Sequence, residues 1–429
     1  MRGDQRPRIP LNVTTSSTGK EDIMTLKTNR RSFLRYGAAA GVAAFGAGLH
    51  PWSRMAYAAN LSAEELRTTG LSTTVQDRIL EMFKAESGVG AVSGTPSTYP
   101  DAQTKILSGS SDYDCWEIIA ERLPALIATD NVETIPASAL SNWSSIRDTF
   151  TKTNPKWDAR AQISGQIWAD EAQTELFMVP AVYNYDSIGY NPEVLSAEEA
   201  NTWTAIFDEK WQGKSGLNVD PLIAIGQAIL AMNSLGLLEA KNPGNPTAAE
   251  IDEAAKFLIA KKKAGQFRAL WGDFGELVNL MASGEMVVCD AWQPAVMAVK
   301  AQGKPAKYAT PKEGYRGWAI GPSMLKGTPN REAVIAYANF WLSGEPGITV
   351  TEQGYYSPST NIKDVMDPDK YAFWYEGQPW KGAAERGINP GDLRDGGSLE
   401  ERAANVAYWH QWPDEYDHLI MRWDEFLNA

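Results

Sequence analysis

The chain has 429 residues, 43% of them hydrophobic, with 40 Lys/Arg against 53 Asp/Glu and a formal net charge of −13. That acidic balance argues against nucleic acid and anionic lipid as partners and favours a cationic ligand. With only two cysteines and three histidines, the chain has little from which to build a zinc, iron–sulfur or histidine-based catalytic centre.

In chain order, the first element is an export signal over residues 1–58. Asn29-Arg30-Arg31-Ser32-Phe33-Leu34-Arg35 is a twin-arginine pattern, Tyr36 to Leu49 is a weakly apolar run, and Ala56-Tyr57-Ala58 is an A-x-A cleavage site. A basic segment, a short apolar segment and small residues in that order mark a Tat signal peptide. The run falls short of the roughly 20 apolar residues that span a bilayer. Met24 offers an alternative start, which would leave residues 1–23 without a role. Cleavage removes nine basic and three acidic residues, so the mature chain keeps 31 basic and 50 acidic residues, a net of −19. His50 leaves with the signal, and only His410 and His418 remain. Cys115 and Cys289 read as buried free thiols, although an oxidising periplasm permits a disulfide between them.

The mature chain then alternates short apolar strands with amphipathic helices. Thr73 and Gln76 have capping-box spacing. Val75, Ile79, Met82 and Phe83 follow at helical spacing, and Ser87-Gly88 closes that helix. Strands are expected at Val89–Val92, Asp112–Ile119, Leu176–Val179, Ile188–Asn191 and Met286–Cys289. Helices are expected at Pro100–Leu107, after the capping box Thr247/Glu250, and at Arg331–Trp341. This rhythm predicts parallel α/β layers, and about 370 mature residues suit two lobes rather than one core. Residues 366–429 differ: Trp374, Trp380, Trp409, Trp412 and Trp423 stand among charged residues and turns. They predict a helical, Trp-rich extension packed onto a lobe.

No nucleophile elbow, phosphate-binding loop, H-E-x-x-H or paired C-x-x-C occurs in the mature chain. No cofactor or metal site is indicated, and an exported α/β chain of this kind reads as a binding protein rather than an enzyme. Two lobes of this kind close over a ligand about hinge strands.

Several stretches carry a resemblance. They are Leu277–Met286 running on to Asp290-Ala291-Trp292; Ala309-Thr310-Pro311-Lys312-Glu313-Gly314 with Trp318 after it; and Gly354-Tyr355-Tyr356-Ser357-Pro358 with Asn361. With Val179-Pro180 and Ile188-Gly189-Tyr190-Asn191, they make residues 64–365 similar to the extracellular solute-binding proteins of the spermidine/putrescine class of ABC importers. The resemblance implies an α/β, two-lobed periplasmic binding protein fold with a ligand cleft between lobes joined by crossing strands. The expected first lobe is residues 59–180 plus 294–345, and the second 181–293 plus 346–365. It implies a monomer that delivers a small cationic, polyamine-like ligand to an inner-membrane permease and its ATPase.

Carried over by position, the resemblance implies ligand contacts at Ser72 and Thr73, Trp116 and Glu117, Asp220, Trp271 and Asp273, Asp290 and Trp292, Trp318, and Tyr355 or Tyr356. A tryptophan face attracts an ammonium group through its quadrupole, and a carboxylate adds a charge-assisted hydrogen bond. Pairing of Trp with an acid at 116/117, 271/273 and 290/292 fits that chemistry. Two departures weaken the case for a long diamine. Pro221-Leu222-Ile223-Ala224 lacks an acid one turn past Asp220, and Trp116-Glu117-Ile118-Ile119-Ala120-Glu121 replaces the class's first-lobe loop. A quaternary ammonium compound or an amino acid derivative is therefore an alternative ligand. Two further alternatives are ferric iron held by the tyrosine pair 355/356, and a secreted hydrolase acting through two carboxylates.

Overall fold

The computed structural model describes residues 61–109, 112–153 and 161–429; the twin-arginine segment and its cleavage site lie outside them. The strands are β1 (Glu65–Gly70), β2 (Ala91–Pro96), β3 (Cys115–Ile119), β4 (Val132–Glu133), β5 (Ile135–Pro136), β6 (Glu175–Leu176), β7 (Val182–Tyr190), β8 (Ser215–Asn218), β9 (Phe267–Trp271), β10 (Val288–Ala291), β11 (Lys307–Tyr308), β12 (Tyr315–Leu325) and β13 (Val406–Trp409). Eleven of them form one sheet, eight in the order β2-β1-β3-β12-β7-β10-β8-β9, with β4 and β13 added beside β12 and β11 beside β7; β5 and β6 pair separately.

Two long strands make this path continuous. β7 pairs antiparallel with β12 over Val182–Asp186 and with β10 over Ser187–Tyr190. β12 pairs with β3 over Ile320–Met324. β7 therefore starts in the first lobe and ends in the second, whereas β12 runs beside its first half and packs into the first-lobe core from Tyr315 onward. Both are buried along their whole length. The parallel pairs β1/β2, β1/β3, β8/β9 and β8/β10 flank them. Helices cover those pairs, as parallel sheets require.

The cores follow this division. Leu66, Ile79, Phe83, Ile118, Tyr337 and Trp341 belong to the first-lobe core. Ile188, Trp203, Leu217, Ile229 and Leu258 form one second-lobe cluster, and Trp271, Leu277, Cys289 and Val296 another. Both cysteines are free and buried, one in each lobe.

Local expectations meet the structure unevenly. The Thr247/Glu250 capping box is present, and helix Arg331–Trp341 has the expected bounds. The helix after Thr73 begins at Asp77 without a side-chain cap, because the Gln76 amide turns back onto the Thr73 carbonyl. Gly88 ends that helix at φ 72°, a conformation glycine adopts freely.

The lobe boundaries need correction. Helix Gln293–Ala301, expected in the first lobe, puts Ala295, Val296 and Val299 into a second-lobe cluster. Residues 346–365, expected in the second lobe, put Val350, Tyr355, Tyr356 and Ile362 into the first-lobe core. The physical reason is the position of the return: Tyr308 and Ala309 still pack in second-lobe clusters, and the chain is back in the first-lobe core from Tyr315.

The C-terminal extension is not purely helical, nor does it serve one lobe. β13 pairs parallel with β12, matching Arg316 with Tyr408 and Gly317 with Trp409. Trp374, Trp380 and Trp409 enter the first-lobe core, whereas Tyr408, Leu419, Trp423 and Phe426 enter the second. A Cβ on Gly226 would come within 2.4 Å of the Tyr408 hydroxyl, so only glycine lets β13 seat there. Buried Arg402 donates to the Tyr185 carbonyl (2.8 Å) and lies 4.8 Å over the Tyr315 ring; buried Arg394 donates to the Gly354 carbonyl (3.0 Å) and lies 4.1 Å over the Tyr356 ring. These contacts tie the extension to the crossing strands.

Candidate functional site

Residues directly opposite in an antiparallel pair share a face, and alternate residues along a strand face opposite ways. In β7 and β12, Asn184 lies opposite Trp318 and Asp186 opposite Arg316. The intervening Tyr183 and Tyr185 pack on the other face, against Tyr356 (centroids 5.5 Å apart) and Trp409 (5.8 Å) respectively. One face of the hinge is thus an aromatic core, and the other carries an amide, an acid, a guanidinium and an indole. β10 extends this second face, because Asp290 lies opposite Ile188.

The polar face is buried and highly charged. Arg316 donates to Asp186 and, at 2.9 Å, meets His410 Nδ1, which lies 3.3 Å from Glu121 Oε1. Burial pushes the Asp186 carboxyl up, and the Arg316 guanidinium only partly reverses that. Burial also pushes the Glu121 carboxyl up, but His410 and Arg122 outweigh it and hold it below its usual range. Asp290 accepts from Gln227 Nε2 (3.2 Å) and Trp271 Nε1 (2.9 Å). With those two neutral donors against full burial, its carboxyl is pushed up to about 7.

Both lobes supply walls. From the first lobe, Tyr355 meets Trp318 edge-on at 5.6 Å, with Thr73 beside its hydroxyl. From the second, Asp220 caps helix Pro221–Ser234 through Oδ1 (2.9 Å to Leu222 N) and takes Arg122 Nη2 on Oδ2 at 3.3 Å. This ion pair joins the end of β3 to the opposite lobe.

Buried polar atoms in proteins nearly always have partners. Here both amide atoms of Asn184, Asp186 Oδ1, Glu121 Oε2 and Gln227 Oε1 are buried without a partner in the protein, as are Trp318 Nε1, Arg316 Nε, Arg122 Nε and His410 Nε2. The site thus holds unused acceptors and unused donors together. Its acceptors, two of them on acids, suit a ligand that donates hydrogen bonds, with the Trp318 and Tyr355 rings beside it.

The sequence candidates divide into three groups. Thr73, Asp220, Trp318, Tyr355 and Asp290 are brought toward the hinge face by the contacts described above. Ser72 and Asp273 are exposed, and Asp273 caps its own helix by accepting from Gly275 N and Glu276 N. Trp271 is fully buried against half-buried Trp292 (4.8 Å, edge-on), so it orients Asp290 rather than presenting its ring. Trp116 and Glu117 lie inside the first-lobe core. Glu117 Oε1 accepts from Thr68 Oγ1 (3.1 Å) and the Tyr337 hydroxyl (2.9 Å), and burial pushes its carboxyl up to about 7. Tyr356 faces Tyr183 and Arg394, away from Tyr355's neighbours. The adjacent tyrosines therefore present no phenolate pair for iron. Among the described residues no group of three or more His, Cys, Asp or Glu could hold a metal ion.

Sequence reasoning missed Glu121, Arg122, Asn184, Asp186, Gln227, Arg316 and His410. Asn184 and Asp186 had a usable signal, being polar residues at alternate positions in an otherwise apolar run. His410 had none, since it reaches the site only through the pairing of β13 with β12.

Comparison with known proteins agrees with this geometry. A profile of the bacterial extracellular solute-binding proteins matches residues 78–374. A putrescine/agmatine-binding protein of Pseudomonas aeruginosa is 23% identical over 283 residues, covering 61% of this chain and 69% of the relative. Among solved structures, the spermidine/putrescine ABC transporter substrate-binding protein PotD of Streptococcus pneumoniae superposes with a TM-score of 0.59 at 15% identity, covering 84% of this chain and 99% of that one. An ABC transporter substrate-binding protein of Bradyrhizobium japonicum gives 0.59 at 15% identity, covering 85% and 99%. The fold is that of the two-lobed binding proteins, and the chain belongs to the family of bacterial extracellular solute-binding proteins.

Proposed function

We propose that this chain is the ligand-capturing subunit of an ABC importer and that its ligand presents an ammonium group to the hinge face. The observation that carries this reading is the pair of buried, unpartnered acceptors of Asn184 and Asp186 on the face that Trp318 shares, with that of Glu121 beyond His410. An ammonium supplies three donors and no acceptor, and it gains further beside an indole face when both are desolvated. The names of the putrescine/agmatine-binding relative and of the spermidine/putrescine neighbour support an organic cation of the polyamine kind. The protein acts in the periplasm by binding rather than catalysis, travels there by the twin-arginine route, and works as a monomer with an inner-membrane permease and its ATPase.

The test is a thermal-shift screen of residues 59–429 against polyamines, monoamines, amino acids, quaternary ammonium compounds, sugars and ferric salts. A ligand that binds only the folded state raises the midpoint. An amine-bearing compound is expected to do so and to lose its effect in Trp318→Ala. A shift with sugars or ferric salts alone would overturn the ammonium assignment.

A further inference from the structure

The hinge face already contains its own cations. Arg316 is paired with Asp186, the His410 ring lies against Glu121, and Arg122 reaches across to Asp220. The first two are enclosed with their partners, the side chains of Arg316 and Asp186 being 3% exposed each. The third differs. The Arg122 side chain is 12% exposed and that of Asp220 32%, so this pair is the one of the three that reaches solvent. Its link to Asp220 is a single contact at 3.3 Å rather than a two-pronged one, and Asp220 spends its other oxygen on the helix cap. Arg122 Nε is buried without a hydrogen-bond partner. The guanidinium is nevertheless held firmly in place. It lies 5.6 Å from the Trp412 ring, bonds to the Tyr416 side chain, and Trp412 stacks on Tyr416 with centroids 3.9 Å apart. Trp412 and Tyr416 belong to the C-terminal extension, beyond the residues matched by the family profile.

A guanidinium that is positioned by an aromatic pair and holds its acid through a single contact is equipped to take a second acceptor. Its planar fork matches a carboxylate two-pronged, which a single-contact aspartate does not satisfy. A second ammonium placed there would meet Arg122 as a like charge with Asp220 already engaged. We propose that Arg122 is a specificity-determining residue that receives a carboxylate on the ligand, so that the cleft selects a small amino-carboxylate over a diamine of the same length. This deepens the ammonium assignment, on which it rests: the ligand's ammonium meets the hinge acceptors, and its carboxylate meets Arg122. The extension contributes by holding the guanidinium at the cleft.

Calorimetric titration with three four-carbon probes tests this: putrescine, n-butylamine and 4-aminobutanoate share a chain and differ only in the group at one end. The expected result is that 4-aminobutanoate binds about tenfold or more tighter than the other two, the size of one charge-assisted contact. In Arg122→Gln that preference falls toward one. In Asp220→Asn, which keeps a helix cap and releases the guanidinium, 4-aminobutanoate binding tightens. The Asn variant guards against reading a lost interlobe bridge as a lost carboxylate site. Tighter binding of putrescine, or an unchanged preference in Arg122→Gln, would overturn the role of Arg122 while leaving the ammonium assignment standing. Absence of heat with all three amines would overturn both.

Discussion

The two lobes each contain a buried acid next to a tryptophan, and the two pairs do different things. In the first lobe, Glu117 is enclosed by Thr68, Thr74 and Tyr337 within the lobe's own core. In the second, Asp290 stands on the hinge face, bonded to Trp271 and Gln227, and close enough to Arg316 to feel its charge. The local sequences Cys-Trp-Glu and Cys-Asp-Ala-Trp look alike, and both acids are fully buried with carboxyls pushed up to about 7. What separates them is register. Glu117 pairs with Gly70 in β1 and Pro322 in β12, on the side covered by helix Arg331–Trp341. Asp290 pairs with Ile188, on the side shared with Asn184 and Asp186. A buried acid becomes available to a ligand through the strand it faces, and the residue beside it in sequence decides little.

The contrast can be broken most severely at the hinge. Arg316→Met strips Asp186 of its partner while retaining bulk, and loss of one member of a buried ion pair costs about 3–5 kcal/mol. Urea denaturation should show that loss, with no amine-dependent shift in midpoint. A loss within about 0.5 kcal/mol would mean that the hinge face is more open to water than its burial indicates.

The next largest effect separates hinge from core. Trp318→Ala should weaken amine binding by about 0.5–2 kcal/mol, roughly two- to thirtyfold, from the ring's interaction with a cation. Glu117→Gln, enclosed in the first lobe, should leave the amine's dissociation constant unchanged. Equal losses in both variants would erase the distinction between the two acids as ligand neighbours.

A pH series sharpens the comparison further. A carboxyl near 7 in the folded chain and near 4 unfolded lowers stability progressively as pH rises between those values, and has no effect below them. Asp290→Asn and Glu117→Gln should therefore both stabilise at pH 8, by at least about 1 kcal/mol, and by less at pH 5. Thermal unfolding across that range measures the slope. Steeper stabilisation at pH 5 would show that the carboxylates are held charged in the folded protein.

The smallest effects lie on the surface. Exposed pairs such as Asp148–Lys152 in the first lobe and Glu253–Lys256 in the second should each contribute under about 0.5 kcal/mol. Replacing either glutamate or aspartate by its amide tests this by denaturant midpoint.

Much of the fold was legible in the sequence because helix caps and period-two apolar runs are local signals. Thr247/Glu250, Gly88 and Arg331–Trp341 illustrate this. The first crossing, at Val179 to Asn191, was also visible. The second was not, because nothing local distinguishes a return segment from any other, and helix Gln293–Ala301 and residues 346–365 therefore pack in the lobe opposite to the one expected, whereas β12 and helix Arg331–Trp341 pack in the expected one. Of the candidates near the hinge face, Thr73, Asp220, Trp318 and Tyr355 are picked out by the resemblance, and Asp290 only as the acid beside Trp292. Arg122, Arg316 and His410 are not, since each acquires its role from a partner about a hundred residues away or more: Asp220, Asp186 and Glu121 respectively lie 98, 130 and 289 positions off. The extension was read as an appendage because its tryptophans signal packing without saying against what. Strand β13 and the buried Arg394 and Arg402 make it part of the hinge.

The most direct test of the central claim is calorimetry of residues 59–429 with small amines, run on the unaltered chain and on Trp318→Ala and Glu117→Gln. The account predicts saturable binding that is weakened by the hinge substitution and untouched by the core one. Amine binding that survives Trp318→Ala but is lost in Glu117→Gln would place the ligand elsewhere and contradict it.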